Sequence, residues 1–154
     1  MKLPKFGQDP MDIYSKPINQ EKTKLATIFE MKPRDIVEKP GRSLFIVWDK
    51  RLSLVDGFEN NYNYIITFGG KGKKAGDHYH KSKQELLAPI IGRVKITLKD
   101  IHNNETEEIF IDAKDHKILH VAPNVFHTIT AESDICSVLV TATFPGNKAD
   151  EFSY

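Results

Sequence analysis

The sequence predicts an all-β, single-domain sandwich or barrel. Three observations carry that expectation. Segments rich in β-branched and aromatic residues recur every 8–12 residues from Glu85 to Phe144, with turn signals between them. Arg93–Lys99 alternates cleanly, setting Val94, Ile96 and Leu98 against Arg93, Lys95, Thr97 and Lys99, as a half-exposed antiparallel strand does. No helical periodicity exceeds two turns after residue 35. Many short, evenly spaced strands close as a sandwich or barrel, and the jelly roll is a common form.

Taken in order, residues 1–20 hold Pro4, Pro10 and Pro17 without periodicity and read as an irregular arm. Such an arm suits packing across the partner of a homodimer. Lys24–Met31 reads as extended or a short helix, and the proline-bounded Lys32–Pro40 as a loop. Strands are expected at Ser43–Asp49, Asn61–Phe68, Glu85–Ile91, Arg93–Lys99, Glu107–Ile111, Lys117–Val121, Phe126–Ala131 and Ile135–Phe144. Pro145–Tyr154 is an exit segment. The expected division is therefore an N-terminal arm and leading segment over 1–40 and a barrel over 41–154.

A chain of 154 residues fits one core. Its net charge of +1 sets up no field that would recruit nucleic acid or a membrane. The local cluster Lys71, Lys73 and Lys74 is either a solvated loop or a phosphate contact. Cys136, the one cysteine, lies in the apolar run Ile135–Val140 and reads as a small buried hydrophobe, consistent with a reducing compartment. No run of 18 apolar residues is present and MKLPKFGQDP lacks an apolar signal core, so a cytoplasmic protein is expected.

The chemistry gathers around His78, His80 and Glu85. Residues i and i+2 of a strand leave from one face, roughly 7 Å apart, so two imidazoles can converge on one point. Glu85 opens the next apolar run and can reach that point from a neighbouring strand; His127 lies downstream. Two or three imidazoles and a carboxylate suit a borderline divalent metal, and equally an acid/base cluster. His102 and His116 fall in turns and are expected to be solvated. Tyr79 faces away from the histidines and is expected to pack. His120 differs in parity from Leu119 and Val121, and is either exposed or an accessory acid or base at the cavity mouth.

The pattern Gly72-(five residues)-His78-Tyr79-His80-(four)-Glu85-(six)-Gly92 matches the first cupin motif at every defined position. Val121–His127 resembles the proline turn that delivers the last cupin histidine. There Asn124 stands where the motif usually has Gly, and His116 stands at the Gly expected upstream. Gly41-Arg42-Ser43-Leu44-Phe45, Asn63-Tyr64-Ile65-Ile66 and Ala75–Lys81 resemble the layout of nucleotide-sugar ketoisomerases and 3,5-epimerases. Asp77–Glu85 is similar to the metal-carrying cupin domain of capsular-sugar reductase/epimerase enzymes. The resemblance implies an RmlC-like cupin jelly-roll β-barrel. Two positions depart: the substrate-meeting Arg of the family is Ala75 here, and Gly41-Arg42 inverts the usual Arg-Gly. Both bear on whether a nucleotide diphosphate is held in the family manner.

The activity so implied is isomerisation or epimerisation of a sugar or sugar nucleotide by proton transfer next to its keto group. His78, His80 and His120 are the candidate catalytic residues. His78, His80, Glu85 and His127 are the candidate ligands of a divalent ion (Zn, Ni, Mn or Fe). An imidazole titrates near operating pH and can serve as base, whereas a bound ion would polarise the carbonyl. The rival expectations are a metal-dependent oxygenase and a non-catalytic sugar- or effector-binding module.

Overall fold

The structure is a computed structural model that describes residues 14–35, 41 and 43–154. Its strands are β1 (Pro17–Lys22), β2 (Thr27–Met31), β3 (Arg34–Asp35), β4 (Ser43–Leu44), β5 (Tyr62–Phe68) and β6 (Lys74–His78). They continue with β7 (Glu85–Ile91), β8 (Arg93–Asp100), β9 (Thr106–Asp112), β10 (Lys117–Val121), β11 (Val125–Ala131) and β12 (Cys136–Ala142). A six-stranded sheet has the order β1-β2-β10-β7-β12-β5, and a four-stranded sheet the order β6-β11-β8-β9. Strands distant in sequence are neighbours in both sheets, as a jelly roll requires.

The main core lies between the two sheets. Val94, Ile96 and Leu98 of β8 are fully buried there, as their alternation predicted, facing Leu87, Leu119, Val138 and Val140. Each such side chain contributes about 1.5–3 kcal/mol by leaving water. Cys136 joins this core as a buried free thiol, and burial pushes its pKa up. A second cluster lies on the outer face of the six-stranded sheet. Phe29, Met31, Leu86, Ala88 and Ile118 are covered there by Phe45, Val47, Trp48, Leu54, Val55 and Phe58.

Three expectations differ from what is observed. Ser43–Asp49 is a strand only at Ser43–Leu44; its remaining apolar residues cover the outer face instead of joining a sheet. Within the stretch expected to be irregular, Pro17–Lys22 is an edge strand with a mostly exposed surface. β1 and β2 both precede the boundary expected at residue 41, yet β2 pairs with β10, so the six-stranded sheet draws on both sides of it. Residues 1–13, including Pro4 and Pro10, lie outside the described residues.

Gly92 closes the β7–β8 turn at φ 74°, where a Cβ would meet the Ile135 carbonyl oxygen at 2.3 Å. The two departures from the second cupin motif fall on left-handed backbone as well: His116 has φ 50° and Asn124 φ 64°. Asn and His are among the residues that tolerate this region. The local backbone is kept although glycine is not.

Candidate active site

The site is built where the two sheets meet at one end of the barrel. β6 pairs with β11, with His78 directly opposite His127, and the register shifts between His127 and Thr128. That bulge turns on Gly76 and Asp77, at φ 94° and 62°. A Cβ at Gly76 would stand 2.6 Å from the His127 carbonyl oxygen, so only glycine lets β6 approach this closely. Thr128 donates its hydroxyl to Asp77 Oδ1 at 2.7 Å and ties the bulge down. From the other sheet β7 supplies Glu85, whose neighbours are Val121 and Ala142.

The nitrogen ligand atoms of His78, His80 and His127 lie within 4.8 Å of one another. Each ring has a partner for Nδ1 outside this centre. His80 Nδ1 meets the Asp150 carbonyl oxygen at 2.7 Å, His78 Nδ1 the Glu151 carboxylate at 3.2 Å, and His127 Nδ1 the Val125 carbonyl oxygen at 3.3 Å. All three partners are acceptors, so Nδ1 of His78 and of His80 donates and leaves Nε2 for the centre. His127 instead has an acceptor at each nitrogen, its Nε2 also facing the Glu85 carboxylate. His80 Nε2 is buried without a hydrogen-bond partner. Burial holds the pKa of both His78 and His80 below the ordinary imidazole value, which keeps their lone pairs available.

Glu85 closes the group. Its Oε2 lies 3.2 Å from His127 Nε2, and its Oε1 lies 4.0 Å from His80 Nε2. Oε1 also takes the Lys83 ammonium at 2.7 Å and the Tyr64 hydroxyl at 3.2 Å. Glu85 and Lys83 are only 2 % and 4 % exposed. Burial opposes ionisation of Glu85, but the hydrogen bond and charge of His127 and the charge of Lys83 outweigh it, and the carboxyl stays well below its usual range. Burial, with the Glu85 charge second, pushes the Tyr64 phenol up.

The exit segment is part of the site. The Asp150 carboxylate accepts from the backbone amides of Lys81, Ser82 and Lys83, which places its own carbonyl against His80. Tyr79 and Phe152 exchange backbone hydrogen bonds and stack with centroids 5.3 Å apart, so Tyr79 packs outside the centre, as its parity predicted.

Of the predicted site residues, His78, His80 and His127 come together and Glu85 adjoins them. His120 does not join them. Its β10 neighbours Leu119 and Val121 face the inter-sheet core, whereas His120 shares the outer face with Ile118 and lies edge-on to Phe58 at 6.3 Å. Its Nε2 is 2.8 Å from Gln84 Oε1. The accessory role at the cavity mouth is thereby corrected: strand parity sends this ring to the wrong side of the sheet. His102 is exposed, as expected. His116 is half-buried with its ring edge-on to Phe45 at 5.2 Å, not solvated, because the 45–58 segment folds over it. Lys71, Lys73 and Lys74 are exposed. Lys83, Tyr64, Asp150 and Glu151 escaped the sequence reading. Tyr64 was findable from strand parity; the other three carry no spacing signal.

The donor set is compatible with a divalent ion. Three imidazoles with Nδ1 held by carbonyl or carboxylate acceptors, and a buried Nε2 without a partner, are what a metal-ligating cluster needs. Among the described residues, no helix is long and apolar enough to cross a membrane.

Residues 49–152 match the polysaccharide biosynthesis C-terminal domain family. No curated protein matches the chain. Among solved structures, it is similar to a dTDP-4-dehydrorhamnose 3,5-epimerase from Bacillus anthracis with TDP and PPi bound. That match has 11 % identity and TM-score 0.74, and covers 88 % of this chain and 82 % of that one. It is also similar to a mutant 3,4-ketoisomerase from Thermoanaerobacterium thermosaccharolyticum in complex with TDP-4-keto-6-deoxyglucose. Here identity is 21 % and TM-score 0.71, with coverage of 86 % and 90 %. A 3,4-ketoisomerase from Helicobacter canadensis matches at 19 % identity and TM-score 0.70, with coverage of 84 % and 90 %. At these identities the likeness establishes the cupin jelly-roll fold.

Proposed function

The chain belongs to the polysaccharide biosynthesis C-terminal domain family, and from that premise we propose that it is a sugar isomerase or epimerase. It would move a proton next to the keto group of a sugar or sugar nucleotide. The observation that carries this reading is the convergence of three imidazoles whose Nδ1 atoms are all spent outward, beside a buried carboxylate. The 3,4-ketoisomerase holding a 4-keto sugar and the 3,5-epimerase holding TDP support it, since both share the fold.

In this reading His78, His80 and His127 hold a divalent ion and Glu85 offsets its charge. A bound ion supplies Lewis-acid polarisation of the keto oxygen, which acidifies the neighbouring C–H. Asp150 and Glu151 orient the imidazoles through Nδ1. Lys83 offsets the charge of Glu85 and so permits a buried carboxylate at this point. The exit segment covers one side of the centre and limits the entry of water.

A second reading is favoured by the lone pair of His80 Nε2. Buried, unpartnered and kept neutral by burial, it is placed to serve as a general base without any ion. The metal content of the purified protein separates the two. A homodimer in the cytoplasm belongs to the same proposal; light scattering tests the assembly.

The test of function is deuterium uptake. A 4-keto-6-deoxy nucleotide sugar and the corresponding unphosphorylated keto sugar are incubated with the protein in deuterated water and followed by mass. Uptake at the carbon next to the keto group is expected, and His80→Asn should abolish it. No uptake on either substrate, with oxygen consumed instead, would replace this reading with the oxygenase.

A further inference from the structure

A separate cleft of about 400 Å³ opens on the outer side of the six-stranded sheet, away from the imidazole centre. Its volume falls in the range of small-ligand sites. Trp48 and Phe58 form an apolar wall. Phe58 is buried, and the half-buried Trp48 ring lies against it with centroids 5.4 Å apart. The wall is therefore seated on the outer apolar cluster and held from behind. The rest of the lining is polar. Lys50 and Glu59 are exposed, and neither makes an ion pair among the described residues. Asn61 is committed, its Nδ2 donating to the Thr143 carbonyl oxygen at 2.9 Å. Asn60 is not: its Oδ1 is buried with no hydrogen-bond partner among the described residues. Turning this side chain towards the cleft breaks no hydrogen bond of that oxygen.

We infer that this outer cleft binds a neutral saccharide, with the Trp48 indole as platform for a pyranose ring and Asn60 and Glu59 as partners of its hydroxyls. The site is independent of the keto-sugar reaction. A pyranose carries C–H groups on its faces and hydroxyls round its rim, which suits the electron-rich face of an aromatic ring flanked by acceptors. One ammonium and one carboxylate leave the lining without net charge, so it favours neither a polyanion nor a cation over a neutral ligand. A buried amide oxygen without a donor is unfavourable, and a sugar hydroxyl is such a donor. The backbone that carries these groups is tied on both sides. The Phe58 amide donates to the Val55 carbonyl oxygen at 3.1 Å, and the Asn61 amide to that of Ala142 at 3.0 Å. Glu59 and Asn60 lie between these two anchors.

Trp48 is the only tryptophan of the chain, so its fluorescence reports on this cleft directly. The full chain is titrated with the methyl glycosides of glucose, galactose and rhamnose. Their anomeric carbon is locked as an acetal and they have no keto group, so they cannot enter the proposed proton transfer. At least one should give a saturable change in Trp48 emission that added salt leaves unaltered. Asn60→Ala and Glu59→Gln should each weaken that binding about fivefold, and His80→Asn should bind as wild type does. No saturable change with any of the three glycosides would overturn the site, as would binding unaltered in Asn60→Ala or in Glu59→Gln. A response lost in His80→Asn would place the ligand in the barrel instead, and a response to glucuronate or glycine betaine exceeding that to every glycoside would make the ligand a charged one. Either result would overturn the inference. The proposed reaction stands or falls separately, on deuterium uptake by the keto sugars.

Discussion

The two faces of the six-stranded sheet each meet a histidine, and they differ in what surrounds the ring. The inner face does so through Glu85 and rings carried by β6, β11 and the residues after β6, the outer face through its own His120. On the inner face His80 and its two companions meet Glu85, and Lys83 offsets the charge. On the outer face His120 has one neutral partner, Gln84, and an aromatic edge. Gln84 and Glu85 are consecutive, so a single step of chain into β7 separates an amide from a carboxylate and one face from the other. An imidazole becomes part of a reactive centre through the charged and lone-pair groups that meet it. Burial alone does not do this, since burial lowers the pKa of His120 as well as of His78 and His80.

The largest break in this comparison should come from the inner carboxylate. Glu85→Gln leaves the Lys83 ammonium buried without a counter-charge, and is expected to cost about 3 kcal/mol in chemical denaturation. The double variant Lys83→Met/Glu85→Gln removes both charges and should recover most of that loss. If the single and double variants are equally unstable, the pair is not what holds Glu85 in place.

Gly76→Ala comes next. The new Cβ meets backbone at a left-handed φ, and the expected loss is about 2 kcal/mol together with weakened metal retention. An unchanged melting temperature would show that the bulge does not set the approach of β6 to β11.

A smaller and oppositely placed effect is expected from His120→Asn. Its depressed pKa means that the unfolded chain binds the proton first as pH falls below about 6.5. Wild type should therefore lose stability on going from pH 7.5 to pH 5.5, and His120→Asn should lose less of it. Deuterium uptake should persist in this variant. If uptake disappears, His120 acts in the reaction in spite of its position. His102→Asn, on an exposed turn, sets the floor, with a change under about 0.5 kcal/mol.

How much of this was legible in the sequence depends on the range of the interaction. β7, β8, β10 and β11 appear within a residue or so of the expected bounds, because alternation and turn residues are local signals. The meeting of His78, His80 and His127 was legible too, through the motif spacing. β1 was not, since an edge strand with a mostly exposed surface shows no alternation. Residues 45–49 were misplaced because an apolar β-rich run covering a sheet reads like one inside it. Lys83 carried no signal: a lysine in Ser82-Lys83-Gln84 looks solvated until Glu85 folds onto it. Asp150 and Glu151 act from some 70 residues away, and nothing local marks them.

The most direct test of the account is the divalent metal content of protein purified without chelator, measured by elemental analysis on wild type, His80→Asn and His120→Asn. About one ion per chain is expected in wild type and in His120→Asn, and a large loss in His80→Asn. An ion retained equally in all three would contradict the account. So would no ion in wild type together with no thermal shift on adding Zn, Mn, Ni or Fe(II).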